Sequence, residues 1–527
     1  MEKKDLTKTE LNNLDKDTLI DIILSKQDEL SEINAKVDFL MDQVKLSRQQ
    51  LYGTSSEKNI TEEQLCMFNE AEGFYDDDIK EPELEKITYT RKKRKGKRDE
   101  DLSGLPVRVE EHTLTEEELE ETFPEGYERF PDEVYRKLDY KPAIFEVIEH
   151  HIAVYRGKNG NILRADHPVE LLDNSIVTPS LCAGIMNAKY VNAMPLYRIE
   201  QEFTRRDISL SRQVMAGWMI KAAERYLSLI HEKMKHELFM HHVIHADETP
   251  VKVNKDGRKA GSKSYMWVYR SSEKDKNPVI IYDYRKTRHS ENLEEFLEDF
   301  SGCIVSDGYA AYHKVAAKWP ERITVSGCWV HARRKFADII KSASGSDKKK
   351  PKYSLASYAV EQIADIYHLD NALEGNTAEE RLKERKTTIA PRVEAFFEWI
   401  KSHEEEVAKG SNIGKAFTYA LNQEEYLKAF LYDPQIPLDN NPAERAIRPF
   451  CIGKKNWVMI DTVHGAESSA IIYSIAETAK ANHLKPYEYF KYLLEKIPRH
   501  MEDTELGFLD DLLPWSDSLP EECHNKP

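Results

Sequence analysis

The sequence predicts an α/β protein built on a mixed five-stranded sheet, with a helical insertion inside that core and helical modules around it. Three observations carry the prediction. From residue 241 three β-rich runs follow one another, and then strands alternate with helices. Residues 341–436 are polar and helical, and they break the α/β pattern before a last helix begins near 441. Near the N-terminus apolar residues recur at heptad spacing.

At 527 residues the chain exceeds one ordinary core, and 40% hydrophobic with 32% charged residues is a globular composition. It holds no apolar run long enough to span a membrane and no signal-peptide core, so a cytoplasmic protein is expected. Six scattered cysteines without a CxxC pair fit reduced thiols. The net charge of −17 argues against a nucleic-acid partner until its distribution is seen. Residues 91–98 read RKKRKGKR, seven basic side chains in eight, and acidic residues dominate the stretch up to about 135. Arg91, Lys92, Lys93 and Arg94 begin either a solvated linker or an arm that neutralises phosphates; composition does not choose between them.

Residues 1–53 are read as a helical segment. Ile23, Leu30, Val37, Val44 and Leu51 fall seven apart with Ile33 and Leu40 on the second seam, which fits a coiled coil joining two protomers or one amphipathic helix. Residues 54–104 form a basic, charged linker, and 105–175 a small β-containing module. Residues 176–240 are helical. PLYRIEQEFTRR and LSRQVMAGWMIKAAERYLSLI, joined by the polar break DIS, suggest a helix-turn-helix with Arg205, Arg206 and Arg212 nearby, or a purely structural hairpin. In 241–460 the strands are HHVIHADETPVKV, SYMWVYRSS, NPVIIYDYRKT, GCIVSDGYAAY and ITVSGCWVHARRKF, a helix preceding each of the last two. Three antiparallel strands followed by parallel ones give the element order of an RNase H-like fold. Residues 461–527 are read as a C-terminal helical segment.

Three carboxylates stand out by position. Asp247 ends the first strand after VIHA, Asp307 ends the fourth after CIVS, and Glu444 opens the helix of DNNPAERAIRP. The first and fourth strands are neighbours in such a sheet, so Asp247 and Asp307 face each other and Glu444 closes a third side. Carboxylates suit magnesium or manganese, whereas imidazoles and thiolates favour zinc. Two such ions activate the attacking oxygen and stabilise the departing one in phosphoryl transfer. Each residue also has a plainer role: Asp as a strand-end turn former, and Glu444 as part of a capping box with Asn441 as N-cap and Pro442 first in the helix.

HADETPVKV, SDGYAAYHKV, GCWVHARRKF and DNNPAERAIRPFCIGKKNW, in this order, resemble the signatures of the IS66 family of bacterial insertion-sequence transposases, and the likeness covers about residues 105–515. The resemblance implies a DDE-type enzyme that cuts DNA at the ends of a mobile element and joins it to target DNA. It carries the acidic triad onto Asp247, Asp307 and Glu444, with two Mg2+ or Mn2+ ions per site. It further implies a homodimer or higher oligomer on DNA, companion proteins from the same element, and a cytoplasmic, nucleoid-associated location. Arg333, Arg334 and Lys335 after the fifth strand, and Arg445 and Arg448 beside Glu444, are phosphate-contact candidates or ordinary surface charge. Many relatives carry a cysteine-rich zinc segment after the basic linker; residues 105–150 here hold no cysteine, so no structural zinc is expected. Cys328 and His331 form an isolated CxxH, a weak metal signal, and a buried cysteine beside a helix-starting histidine is the better reading. Two other readings stand beside this one: an endonuclease that cuts without joining, and an inactive DNA-binding descendant.

Overall fold

The structure is a computed structural model that describes residues 109, 144–156, 162–259, 261–342, 351–503 and 505–526. The heptad segment 19–51, the basic run 91–98 with Arg91, Lys92, Lys93 and Arg94, and most of the 105–175 module lie outside the described residues. The chain divides into two compact units. In one, Val154–Arg156 (β1) pairs antiparallel with Ile162–Arg164 (β2). All elements described below belong to the other.

Four helices lead into the sheet: Pro179–Met186 (α1), Leu196–Thr204 (α2), Arg212–Ala222 (α3) and Ser228–Met240 (α4). Thr178 caps α1 and Ser211 caps α3, each hydroxyl accepting an N–H of the first turn. A π-helical stretch, Ala223–Leu227, joins α3 to α4. Between α2 and α3 the chain turns through Asp207 at φ 60°, a left-handed conformation that Asp tolerates better than most residues.

The sheet then builds in sequence order: Val243–Lys255 (β3), Lys263–Arg270 (β4), Ile280–Arg285 (β5), Ser290–Phe296 (α5), Gly302–Ser306 (β6), Ala310–Lys318 (α6), Ile323–Gly327 (β7) and Trp329–Lys341 (α7). Its spatial order is β5-β4-β3-β6-β7. Short loops make β3, β4 and β5 antiparallel, and helical crossovers make β6 and β7 parallel to β3. The expected five strands are joined by a sixth. Ile460–Thr462 (β8) pairs parallel with the far end of β3, Val253 opposite Ile460 and Lys255 opposite Thr462. Three residues, two of them polar, offer no alternation by which a strand could be read.

Alternation along the strands divides the interior in two. Ile244, Ala246 and Ile304 feed one core, whereas Val243, Cys303 and Val305 feed a second. The second is filled from α7 and from the helices Pro351–Asn371 (α8), Ala390–His403 (α10), Asn412–Asn422 (α11) and Glu424–Lys428 (α12), whereas Ala378–Glu384 (α9) buries no residue. Trp329, Phe336, Ile363, Phe396, Phe417 and Phe430 are fully or almost fully buried there, each contributing about 1.5–3 kcal/mol by leaving water. Asn441–Trp457 (α13) packs on β3 and β4, and Val463–Ala481 (α14) on β5, followed by Pro486–Lys496 (α15). As the edge strand, β5 has N–H groups without a strand partner. Two of them are satisfied by α14: Ile280 N–H donates to Thr478 Oγ1 at 3.0 Å and Tyr282 N–H to Ser474 Oγ at 2.7 Å. Among the described residues no helix is long and apolar enough to cross a membrane.

Candidate active site

Asp247 and Asp307 come together through strand pairing. The parallel register sets His245 opposite Val305, and two further residues bring Asp247 beside Asp307. Asp247 lies on the sheet face shared with Val243 and His245. Its Oδ1 accepts the Glu248 N–H at 2.8 Å, and burial, reinforced by the charges of Glu248, Asp307 and Glu444, pushes its carboxyl up to about 8.

Asp307 follows β6 directly and is held from both sides. Its Oδ1 accepts the Tyr309 N–H at 3.0 Å, and its carbonyl accepts the Tyr419 hydroxyl at 2.8 Å. Gly308 between them sits at φ 86°, where a Cβ would stand 2.7 Å from Gln423 Oε1. Only glycine fits that turn. Tyr419 is on α11 and Gln423 immediately follows it, so the helical insertion backs the second carboxylate.

Glu444 is brought in by α13, whose start is fastened to β3. Asn440 Nδ2 donates to the Ala246 carbonyl at 2.7 Å, and the Nδ1–H of His245 donates to Asn440 Oδ1 at 3.0 Å. Burial pushes the His245 pKa down to about 4, leaving a neutral ring. The capping-box alternative for Glu444 is not realised. The N-cap is Asn440 rather than Asn441, its side chain is committed to β3, and Glu444 Oε1 is buried without a hydrogen-bond partner. Glu444 instead meets α7: His331 Nε2 lies 3.7 Å from Oε1 and Arg334 Nη2 3.6 Å from Oε2.

The basic candidates separate by helix geometry. His331, Arg334 and Lys335, spaced i, i+3 and i+4, share one face of α7. Arg334 reaches Glu444, and Lys335 lies over the Tyr419 ring at 5.3 Å. Arg333, one residue before Arg334, falls off that face. Arg445 is engaged by Glu273, at 2.7 and 3.1 Å, which also binds the buried Arg270. Arg448 is half-buried on α13. Arg205 and Arg206 both pair with Glu202, and Arg212 lies 5.7 Å over the Tyr197 ring.

Three features escaped the sequence reading. Glu248, next to Asp247, projects to the opposite sheet face, where Arg288 pairs with it and the Tyr312 hydroxyl donates at 2.9 Å. Strand alternation alone distinguishes the two acids of HADET. His331 is near the carboxylates rather than part of a Cys–His metal pair, since the Cys328 thiol is buried and accepts the Asn440 N–H at 3.3 Å. Asn440 carries the fastening just described, and no short-range pattern marks it.

An orphaned buried oxygen on Glu444 and a buried carboxyl on Asp247 that cannot comfortably ionise fit a hard divalent cation. Among the described residues no group of three or more His, Cys, Asp or Glu side chains stands close enough together to hold a metal ion. Contrary to expectation, β3 does not end at Asp247 but runs on to Lys255. The arrangement defines a class: a mixed α/β sheet with one carboxylate within β3, a second directly after the adjacent parallel strand β6, and a third on a helix fastened to β3. Comparison with known proteins then gives the family. Residues 174–468 match the Transposase IS66 family, 474–515 the IS66 C-terminal element, and 40–109 the family described as Transposase C of IS166 homeodomain. The chain belongs to the IS66 family of transposases. Similar proteins of Sinorhizobium fredii include the uncharacterized protein y4qI, 29% identical over 391 residues (72% of this chain and 70% of the relative). The uncharacterized protein y4jD of the same organism is 28% identical over 390 residues, 72% of this chain and 74% of the relative.

Proposed function

We propose that this transposase cuts DNA at the ends of a mobile element and joins the freed end to target DNA, within an RNase H-like core and with Asp247, Asp307 and Glu444 as its acidic triad. The observation that carries the reading is the approach of these carboxylates: the charges of Asp307 and Glu444 both bear on Asp247, although four strands and eight α-helices lie between Asp247 and Glu444 in sequence. Bound by the triad, two Mg2+ or Mn2+ ions would supply Lewis-acid activation of the attacking oxygen and charge stabilisation at the departing one.

The chain's own residues supply position and charge. Asn440 and the His245 ring fix the start of α13, and with it Glu444, against the strand that carries Asp247. Tyr419, Gln423 and Gly308 fix Asp307. His331 packs beside Glu444 and limits where its carboxylate can swing. Arg334 offers a guanidinium beside the triad, suited to a phosphate oxygen of the strand being cut. Lys335 and Arg448 extend the positive surface, and the α2–α3 pair with Arg205, Arg206 and Arg212 is a second DNA contact, as is the basic run from Arg91 to Arg94. Arg445 serves the fold through Glu273. The reading includes a dimer or higher oligomer on DNA, companion proteins from the same element, and a cytoplasmic, nucleoid-associated location.

The test is cleavage and joining of labelled DNA carrying the element's own ends, with Mg2+ or Mn2+ and after chelation. Asp247→Asn, Asp307→Asn and Glu444→Gln are each expected to abolish both products, a loss of at least about a thousandfold, while DNA binding persists. Cutting without joining by the unsubstituted chain would favour an endonuclease. Full activity in Glu444→Gln would remove that residue from the triad.

A further inference from the structure

At the end of α13 the chain makes a turn that the carboxylate site does not require. The Trp457 carbonyl accepts the Met459 N–H at 2.7 Å, closing a three-residue turn around Val458 at φ 65°, ψ −46°. This backbone conformation is rare and strained, most of all for a β-branched residue, whereas glycine would hold it at no steric cost. Burial does not compensate, because Val458 is 56% exposed and Met459 46%. Met459 is steadied through its sulfur, which accepts the Asn254 Nδ2–H at 3.1 Å, but strain that leaves two apolar side chains half in water points to a use for the shape itself.

The base beneath this point is firm. Residue 460 begins the pairing of β8 with β3, and Lys454 at the end of α13 donates to Thr249 Oγ1 and the Pro250 carbonyl at 2.9 and 2.8 Å. Asn456 donates to the carbonyl of Ala193, in the turn that precedes α2, at 2.9 Å. The charge beside the turn is positive: Lys454 and Lys455 stand in the last turn of α13, and Asp461 beyond the turn is paired with Lys255 at 2.6 Å. A rigid apolar point at the end of a basic helix complements duplex DNA, in which phosphates bind the cations and an inserted side chain unstacks one base step. From Glu444 to Val458 the helix rises about 20 Å, the length of roughly six base pairs.

We propose that Val458 and Met459 form a wedge that enters the DNA about six base pairs from the scissile phosphate and kinks it there, an inference that rests on the transposase reading. The test uses duplexes of the element end with 2-aminopurine at single positions three to nine base pairs from the cleavage site. They are bound to the full chain carrying Asp247→Asn so that cutting does not intervene. Emission is expected to rise about fivefold at one or two positions near the sixth base pair and to stay flat elsewhere. Val458→Ser combined with Met459→Ser is expected to remove the rise while changing the DNA Kd by less than about threefold, since phosphate contacts remain. Val458→Gly relieves the turn, so it folds at least as well as the parent and should also lower the rise. Flat emission at every position, or a rise that survives both variants, overturns the wedge. So does loss of self-association in the double variant with emission unchanged, which would assign the point to a second protomer. An unsubstituted chain that cuts DNA while emission stays flat leaves the transposase reading intact; one that neither binds nor cuts removes both.

Discussion

The surroundings of Asp247 oppose its ionisation, and this has a thermodynamic consequence. In the unfolded chain its carboxyl titrates near 4, whereas burial among acids moves it to about 8 in the folded protein. The folded state therefore keeps a proton that the unfolded state releases. The resulting stability is fully present below about pH 4 and is lost as pH rises through about 8. Without divalent cation, Asp247→Asn is expected to be more stable than the parent above pH 8, by on the order of 5 kcal/mol, and equal to it near pH 4. Thermal melts in chelator across that range check this, and equal curves at all pH values would refute it. Gly308 makes a second case at this scale. Gly308→Ala combines a left-handed φ with a Cβ 2.7 Å from Gln423 Oε1, and is expected to cost about 1–3 kcal/mol and most of the cleavage activity. Trimming Gln423 to Ala in the same chain should recover the steric part of the loss and leave the backbone part. The positions of Asp247, Asp307 and Glu444 were legible because apolar runs and a helix start frame them. Asn440, Gly308 with Gln423, and the choice of Arg334 over Arg333 were not, because each depends on which side chain faces a partner far off in the sequence.

The edge of the sheet shows what elements do for one another. Ser474 and Thr478, one turn apart on α14, present hydroxyls to the two outward N–H groups of β5. Such a helix seals an edge that would otherwise template pairing with another chain. Thr478→Val with Ser474→Ala leaves both amides unsatisfied, at about 1–3 kcal/mol each. Hydrogen exchange is expected to quicken at Ile280 and Tyr282 while Tyr269 on β4 stays protected; unchanged exchange at those two amides would show that the hydroxyls do not hold them. In the sequence SIAETAKAN reads as an apolar helix with small polar residues, and nothing local says that two of them substitute for a strand. The same limit hid β8, three residues long and recognisable only beside β3.

Across the whole molecule the insertion and the sheet behave as one structure. Arg385 is 1% exposed and donates to both oxygens of Asp370 and to the carbonyls of Phe430, Asp433 and Ile436. It joins the segment before α10 to the chain after α12, which returns to α13. Arg385→Leu leaves a buried carboxylate without its guanidinium and takes a donor from three carbonyls, of which that of Asp433 keeps the Ile436 N–H, and is expected to cost about 3–5 kcal/mol. Because α11 and Gln423 back Asp307, cleavage should fall together with the melting temperature of the insertion. A variant that is destabilised but cuts DNA at the parental rate would separate the insertion from the site.

By itself the sequence determined the order of strands and helices, the mixed sheet and the three carboxylates with their chain neighbours, since hydrophobic period and turn chemistry are local properties. Tertiary structure alone decided that Glu248 turns away from Asp247, that Glu444 meets His331 and Arg334 instead of capping its helix, and that α11 buttresses Asp307. It also decided that α14 closes the sheet edge. Those outcomes depend on contacts between segments far apart in the chain, where burial and charge select among side chains that local pattern leaves equivalent.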